Sequence, residues 1–357
     1  MTDTLDIQIT PTQSSKLPQT DFNNLAFGKT FSDHMFVADY EDGEWKNLQI
    51  IPYQNLSISP ANATLHYAQS IFEGLKAHKN DEGEILIFRP EENAKRLQRS
   101  AERMCMPPVP IELFMEGIDQ LIKLDQDWVP SDEGTSLYIR PFQFATDPFI
   151  GVRPSETYKF MILTGPVGGY YSEPVKVKIE KHFTRAVRGG VGRAKTAGNY
   201  AASLYPARQA QAQGYHQLVW TDGQDHEFIE ESGTMNIMFV INGTLLTPPT
   251  SDSILDGITR QSALTLARDW GLNVEERPIR ISEVIEAIEK GTLTEAFGIG
   301  TAATISHIRT IGYEEMDYEL PAIETREIST RILDALTNIK LGKIEDKFGW
   351  IKKVGQF

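Results

Sequence analysis

Apolar residues recur along this chain with the two periods that distinguish strands from helices. Alternating stretches on either side of Asp42-Gly43, in HMFVADYEDGEWKNLQIIPY, predict a β-hairpin, and FVINGTLLTPP predicts another around Asn242-Gly243. Short apolar runs such as EILIFRP and KFMILTGPV predict further strands. The helical spacing in EENAKRLQRSAERM predicts a helix that opens at Pro90, because proline suits the first helical turn.

Helices and hairpins are mixed along the whole length, which favours an α+β protein of two domains over a doubly wound parallel sheet. The stretch GGYYSEP holds two glycines and a proline, and it is the best candidate for a linker. We therefore expect a smaller N-terminal domain over residues 1–168, a linker over 169–182 and a larger domain over 183–357. Residues 1–20 are expected to form a flexible tail.

Composition excludes several classes of protein. A formal net charge of -14 argues against nucleic acid or an anionic membrane as the main partner. The single cysteine, Cys105, cannot form an intrachain disulfide or a cysteine-built metal site, and no metal is expected. No apolar run reaches the roughly 18 residues that span a bilayer. The N-terminus MTDTLDIQIT lacks the early basic residues of a secretory signal, so we expect a cytoplasmic protein.

One lysine has an unusual setting. Lys195 lies in GRAKTAGNYAAS, among glycines and alanines and just before an alanine-rich helix. A lysine in a polar loop is ordinarily a solvated surface charge. Small neighbours, however, allow an amine to be buried against a planar ligand, where it becomes a nucleophile able to form a Schiff base.

Two acidic residues and one helix start are further candidates for chemistry. Glu230 and Glu231 lie in FIEESGTMNIMF, where adjacent strand residues point to opposite faces, so one carboxylate can face inward. Ile258 and Thr259 open the helix of LDGITRQSALTLARDWG, behind Gly257, in an arrangement that can hold a phosphate. The plain alternatives are two surface acids and an ordinary capped helix.

Three other stretches leave two interpretations open. FGIGTAATISHI exposes successive amides and the hydroxyl of Thr301, which suits an anion, or it is simply a glycine-rich turn. Arg96, Arg99 and Arg103 form a basic helical stripe, and such a stripe is usually a solvated face. LHYAQSIFEGLKAH mixes aromatic, acidic and basic residues, as either a pocket wall or plain core does.

The order of these features resembles the branched-chain amino acid aminotransferases of the pyridoxal-phosphate fold type IV group. The resemblance runs from about Phe31 to Trp350 and rests on LHYAQSIFEGLKAH, LIKLDQDWVP, SLYIRPFQF, GNYAASL and EESGTMNIMF. These motifs lie nearer the eukaryotic-like branch of the family. The resemblance implies a smaller N-terminal α/β domain and a larger cofactor-binding domain rich in hairpins, with a barrel-like sheet.

The resemblance also implies a role for particular residues, with pyridoxal 5′-phosphate as the cofactor. Lys195 matches the Schiff-base lysine that shuttles the proton, Glu231 the carboxylate facing the pyridine nitrogen, and Tyr200 the partner of the phenolic oxygen. The remaining cofactor-binding residues implied are Arg96, Thr234, Ile258, Thr259 and Thr301. The substrate-binding residues implied are Tyr67, Phe72, Tyr138, Tyr170, Arg140 for a distal carboxylate, and Thr301 with Ala302 for the α-carboxylate.

The function implied is reversible, ping-pong amino transfer between L-leucine, L-isoleucine or L-valine and 2-oxoglutarate. The resemblance also implies a homodimer in which each pocket includes residues of the partner subunit. A D-amino-acid aminotransferase and a 4-amino-4-deoxychorismate lyase of the same fold are the alternatives, although both are normally shorter. Ala303 and Ser306 stand where mammalian members carry a Cys-x-x-Cys pair, so thiol switching is not expected at that position.

Overall fold

The computed structural model describes residues 5–168 and 173–356. The chain divides into two compact units. The first unit comprises the described residues of 1–170, 194–197 and 338–357, and the second those of 171–193 and 198–337. The chain therefore leaves the second unit for four residues around Lys195 and returns to it at Gly198.

The first unit is built on one largely antiparallel sheet of nine strands. These strands are β1 (Gln8–Ile9), β2 (His34–Glu41), β3 (Glu44–Pro52), β4 (Ser70–Phe72), β5 (Leu75–Lys79), β6 (Ile85–Phe88), β7 (Ser136–Ala145), β8 (Tyr158–Val167) and β19 (Ile351–Lys353). The strand order is β1-β3-β2-β8-β7-β5-β6-β19, and β4 pairs with β7. Asp42 and Gly43 both have positive φ in the β2–β3 turn, as the sequence predicts.

Three helices lie wholly within the described part of the first unit, namely α1 (Ala63–Tyr67), α2 (Pro90–Arg103) and α3 (Ile111–Leu124). Pro90 opens α2, and Ala94, Leu97 and Ala101 line its buried face against the sheet. Phe114, Ile118 and Leu121 of α3 are in the same core. Burial of these apolar stripes at about 25 cal/mol per Å² is the main force that holds the helices on the sheet.

Residues 5–20, which the sequence suggests are a flexible tail, are held against the first unit instead. Strand β1 pairs in parallel with β3, so that Gln8 lies opposite Gln49. The Thr12 N–H donates to His34 Nε2 at 2.8 Å, and the Lys16 N–H donates to Asp33 at 2.8 Å. Polar composition did not reveal these contacts because each partner lies far away in sequence.

The second unit is built on a ten-stranded sheet. Its strands are β9 (Val175–Ile179), β10 (Gln217–Thr221), β11 (Phe228–Ser232), β12 (Met235–Ile241), β13 (Thr244–Thr247), β14 (Val274–Glu276), β15 (Ile279–Arg280), β16 (Leu293–Gly300), β17 (Thr304–Tyr313) and β18 (Met316–Glu319). Six of them, β12-β16-β17-β9-β10-β11, close on themselves because β11 also pairs with β12. This closed sheet is the barrel of the expected α+β fold, which is confirmed.

Helices α4 (Ala197–Ala212), α5 (Ile258–Asp269) and α6 (Ile281–Glu289) follow, and α7 (Ile328–Lys340) ends within the first unit. The unit boundaries differ from the sequence expectation at two places. Val175–Ile179, within the expected linker, is already a strand of the barrel, and the C-terminal residues 338–356 return to the first unit as β19. No helix in the described part of the chain is long and apolar enough to cross a membrane.

Candidate active site

Lys195 is held by its backbone in the first unit. The Phe72 N–H donates to the Lys195 carbonyl at 3.0 Å, and the Lys195 N–H donates to the Ser100 hydroxyl at 2.9 Å. Next to it, the Thr196 hydroxyl donates to the Ser70 carbonyl at 2.7 Å. The ammonium of Lys195 lies over the Phe72 ring, 4.9 Å from its centroid. The backbone of this lysine is thus fixed at both ends, while the amine projects beside an aromatic face.

Arg96 is buried on α2, with 4% of its surface exposed. Its guanidinium makes a two-pronged pair with Glu73, from Nε at 2.8 Å and from Nη2 at 2.7 Å. Arg96 is therefore no member of a solvated basic stripe. Arg103, one end of the stripe predicted from spacing, lies on the exposed side of α2.

Two of the four aromatic residues expected to bind substrate lie beside Arg140. Phe72 and Tyr138 flank Arg140, whose guanidinium carbon lies 4.7 Å and 5.2 Å from their ring centroids. Arg140 Nη2 donates to the Tyr138 hydroxyl at 2.9 Å, and its buried Nε has no hydrogen-bond partner among the described residues. Tyr67 ends α1 with 42% of its surface exposed, and Tyr170 lies outside the described residues.

Glu231 is buried in the second unit, with 3% of its surface exposed. Arg185 Nη2 lies 3.1 Å from one carboxylate oxygen, and the Leu255 N–H donates to the other at 2.9 Å. Asn236 Nδ2 donates to the Leu255 carbonyl at 2.9 Å and lies 3.4 Å from the same Glu231 oxygen. These contacts keep the carboxylate oriented and close to an arginine.

Glu230 has different partners from Glu231, and the pairing of β11 with β10 shifts register so that Glu230 has no opposite residue. Its carboxyl group accepts a hydrogen bond from the Ser253 hydroxyl, and the Ser253 carbonyl accepts one from Arg185 Nη2. Burial raises the pKa of Glu230 to about 7, against the lowering effects of Ser253 and Arg185. Glu230 is therefore close to half protonated near neutrality.

A hydrogen bond from Leu255 links Glu231 to the segment just before α5. Leu255, which donates to Glu231, is two residues before Gly257, the N-cap of α5. Gly257 makes no side-chain cap hydrogen bond, and a Cβ at this position would overlap the side-chain oxygen of Asn236. Ile258 and Thr259, the first two helical residues, are both buried.

The other predicted residues of the second unit lie in turns and on α4. Thr301 and Ala302 form the turn between β16 and β17, and Thr234 is exposed in the β11–β12 turn beside Gly233, whose φ is +58°. Tyr200 lies in the first turn of α4. No group of three or more His, Cys, Asp or Glu residues within 5–168 and 173–356 is arranged to hold a metal ion.

The contacts reveal residues that sequence reasoning did not assign. Glu73, Asn93 and Ser100 surround Arg96 and the Lys195 backbone, and Arg185 contacts Glu231. Glu73 had a signal, because an acidic residue in the apolar stretch IFEGL needs a partner when it is buried. The sequence gives no comparable signal for Arg185, since its partner Glu231 lies 46 residues further along the chain.

Comparison with known proteins identifies the family. Residues 70–311 match the model of the amino-transferase class IV family, a range that includes Lys195, Glu231 and the start of α5. The chain belongs to this family, and it is a transferase that depends on pyridoxal 5′-phosphate.

Its relatives narrow the class. The chain is 48% identical to branched-chain-amino-acid aminotransferase 2 of Bacillus subtilis (strain 168) over 355 residues, 98% of this chain and 97% of that one. It is 42% identical to a probable branched-chain-amino-acid aminotransferase of Streptomyces coelicolor, over 92% of each chain. The solved branched-chain amino acid aminotransferase of Escherichia coli is 27% identical, with a TM-score of 0.75 over 90% of this chain and 99% of that one. The branched-chain aminotransferase assignment made from the sequence is confirmed.

The residues fit this cofactor. Pyridoxal phosphate carries a ring nitrogen and a phosphate on one small rigid ring, so its two polar ends need partners at a fixed separation. In the second unit, a single set of hydrogen bonds joins a buried carboxylate, Glu231, to the start of α5 through Leu255 and Asn236. A carboxylate suits a protonated ring nitrogen, and a helix start without a side-chain cap suits a phosphate.

Proposed function

We propose that the enzyme transfers the amino group of L-leucine, L-isoleucine or L-valine to 2-oxoglutarate, and runs the reverse reaction by the same ping-pong sequence. The observation that carries the proposal is the position of Arg140 close to the rings of both Phe72 and Tyr138. Aromatic faces take up a branched aliphatic side chain by removing its surface from water. A guanidinium beside them pairs with the distal carboxylate of glutamate, which would be costly to bury alone.

Each residue of the proposed site has one task. When bound, the cofactor supplies a covalent link to the substrate nitrogen and a conjugated ring that accepts the electron pair of the Cα–H bond. Lys195 provides the amine that moves the α-proton. Glu231 holds a proton on the ring nitrogen, and the ion pair with Arg185 orients the Glu231 carboxylate for that purpose.

The remaining roles concern binding. We assign the phosphate to Arg96, to Ile258 and Thr259 at the start of α5, and to Thr301. Tyr200 is assigned to the phenolic oxygen, Thr234 to further cofactor contacts, and the Thr301-Ala302 turn to the substrate α-carboxylate. Tyr67 and Tyr170 complete the proposed list of substrate-binding residues.

A substrate panel tests the proposal. Purified enzyme is assayed with 2-oxoglutarate and L-leucine, L-isoleucine, L-valine or D-alanine, and separately with 4-amino-4-deoxychorismate. We expect turnover with the three branched L-amino acids only. A higher kcat/KM with D-alanine, or pyruvate release from the chorismate derivative, would instead favour one of the two alternatives of the same fold.

Two variants in the same panel test the roles of the residues. Lys195→Ala is expected to keep its circular dichroism spectrum but to lose the visible absorbance of the linked cofactor and essentially all turnover.

Arg140→Met is expected to raise KM for glutamate and 2-oxoglutarate about ten- to a hundredfold, using 1.5–3 kcal/mol for a charged hydrogen bond. Its leucine half-reaction should change much less. Equal damage to both half-reactions would show that Arg140 only supports the packing.

We also propose a homodimer in the cytoplasm. Several large apolar side chains of the first unit are exposed around α1 and in the loop after β7, and a second copy of the chain would cover them. The only cysteine, Cys105, is a free thiol, which is ordinary in a reducing compartment. Cell fractionation tests the location.

A further inference from the structure

Glu73 is a fully buried carboxylate that belongs to none of the roles assigned above. Its exposed surface is 0%, and it follows directly after β4. Both of its oxygens bind the guanidinium of Arg96, and Asn93 Nδ2 donates to Oε2 at 2.8 Å. A buried carboxylate is normally costly, and it is retained where a partner of matching geometry depends on it.

The position of Glu73 is fixed from its backbone as well as from its carboxylate. The Glu73 N–H donates to the Pro141 carbonyl at 2.7 Å, and the preceding Phe72 N–H donates to the Lys195 carbonyl at 3.0 Å. Asn93, Arg96 and Ser100 lie on one face of α2, at spacings i, i+3 and i+7. This face therefore holds both the Glu73 carboxylate and, through Ser100, the backbone of Lys195.

The charges around Glu73 keep it ionised. Burial by itself would raise the pKa of Glu73, but the charge and hydrogen bonds of Arg96, the charge of Lys195 and the Asn93 amide together hold the pKa below its ordinary value. The pair with Glu73 engages Nε and Nη2 of Arg96. An arginine held in this way has already lost the rotamer freedom that a ligand would otherwise have to remove.

We propose that Glu73 is a positioning residue, which fixes the guanidinium of Arg96 so that it presents a preformed donor to the phosphate of the cofactor. The proposal rests on the phosphate role assigned to Arg96 above. Two effects of Glu73 oppose each other. Its negative charge weakens the attraction of Arg96 for a phosphate, whereas its two hydrogen bonds orient the arginine, and we infer that orientation dominates because the pair is buried and two-pronged.

The experiment compares two ligands that differ only in the phosphate. Dissociation constants of pyridoxal 5′-phosphate and of pyridoxal are measured by fluorescence titration of the full-length protein after removal of its cofactor. Wild type, Glu73→Gln, Arg96→Met and the double variant are compared. We expect Glu73→Gln to reduce the preference for the phosphorylated ligand about ten- to a hundredfold, the range that 1.5–3 kcal/mol for a charged hydrogen bond gives. In the double variant, Glu73→Gln should add nothing to the effect of Arg96→Met.

The outcomes separate the inference from the function on which it rests. An unchanged preference in Arg96→Met would remove Arg96 from the phosphate site, and the premise would fall with it. If Arg96→Met lowers the preference but Glu73→Gln weakens both ligands equally, Glu73 is only structural and the inference alone is overturned. An increased preference in Glu73→Gln would show that its charge, not its orienting bonds, matters.

A matched control and a second measurement guard against misfolding. Glu295→Gln removes another buried carboxylate, which accepts the N–H groups of Glu327, Ile328 and Ser329 at the start of α7. It should lower the melting temperature without changing the ligand preference. If Glu73→Gln does not fold, Glu73→Asp keeps the charge but shortens its reach. Phosphorus NMR of that holoenzyme should then show a shifted phosphate signal, and a signal identical to wild type would contradict the proposal.

Discussion

Glu230 and Glu231 are neighbours in the chain, yet their carboxyl groups have opposite properties. Glu231 lies beside Arg185 and accepts a backbone N–H, whereas Glu230 is paired with a serine hydroxyl and has its pKa raised to about 7. Strand alternation predicts that adjacent residues point to opposite faces, but the register shift between β10 and β11 at Glu230 interrupts the alternation here. The alternation also does not identify Arg185 as the partner of Glu231, because that contact depends on how β11 and the loop before α4 pack.

The pH dependence of stability is the first consequence. Glu230 keeps its proton up to about pH 7 in the folded protein, whereas the carboxyl group loses it near its ordinary value of 4.5 in the unfolded chain. The folded state therefore binds more protons between these values, and stability falls as the pH rises from 4.5 through 7. A shift of this size corresponds to roughly 3 kcal/mol, of which partial exposure leaves about 1–2 kcal/mol.

Glu230→Gln removes this pH-dependent contribution to stability. The melting temperature of the variant should therefore decline less than that of wild type between about pH 5 and pH 8. Glu315→Gln, at an exposed position of the same unit, is the control and should follow wild type. The two glutamates should differ in turnover in the opposite sense. We expect Glu231→Gln to lower turnover more than Glu230→Gln does, by about tenfold to a few hundredfold, because it loses the charge that holds the ring-nitrogen proton. An equal decline of the melting temperature with pH in Glu230→Gln and wild type would contradict the contribution of Glu230 to the pH dependence of stability.

At the scale of elements, local sequence signals were reliable where they act over a few residues. Asp42-Gly43 and Asn242-Gly243 both form two-residue turns with positive φ, and Pro90 begins α2. Pairings between distant segments were not predictable, as the β1–β3 pair and the return of β19 to β6 illustrate. The barrel was expected only from family resemblance, since its closure by β11 and β12 depends on register rather than on pattern.

The start of α5 provides a prediction at this scale. A methyl group at Gly257 would displace the side chain of Asn236, whose amide joins Leu255 to the region of Glu231. Overpacking of this kind costs typically 1–3 kcal/mol. We expect Gly257→Ala to lower the melting temperature by several degrees and to weaken cofactor binding about tenfold, measured by equilibrium dialysis. Gly168→Ala has only ordinary contacts with Leu25 and should change neither quantity. Unaltered cofactor affinity in Gly257→Ala would separate α5 from the cofactor.

For the whole molecule, the sequence predicted the class of enzyme better than it predicted the surroundings of the site residues. Ordered motifs single out Lys195, Glu231 and the start of α5 as candidates, whereas the residues that contact them come from distant parts of the chain. Glu73 contacts Arg96 across 23 residues and Lys195 contacts Ser100 across 95. Such contacts follow from the fold as a whole, so a single sequence without its structure does not supply them.

The exposed apolar surface of the first unit also concerns the whole molecule. Leu65 of α1 is 59% exposed, and in the loop after β7 the exposed fractions are 60% for Ile150 and 91% for Val152. Helix α1 and the end of β7 are joined by the Thr64 hydroxyl, which donates to the Ala145 carbonyl at 2.9 Å. Single exposed apolar residues are common, but a group on adjoining segments is typical of an interface.

We therefore expect wild type to sediment as a dimer, at twice the 40.1 kDa of one chain. A charge introduced into an apolar interface is buried without a partner, so Ile150→Asp and Val152→Asp should shift the equilibrium towards the monomer. Met316→Asp is the matched control, because Met316 is also 60% exposed but lies on β18 of the second unit. Sedimentation equilibrium at micromolar concentration measures the change. Since the resemblance implies that each pocket includes residues of the partner subunit, the monomeric variants should lose turnover in parallel with dissociation. Dissociation by Met316→Asp but not by Ile150→Asp would place the interface on the second unit, and a fully active wild-type monomer would refute the dimer altogether.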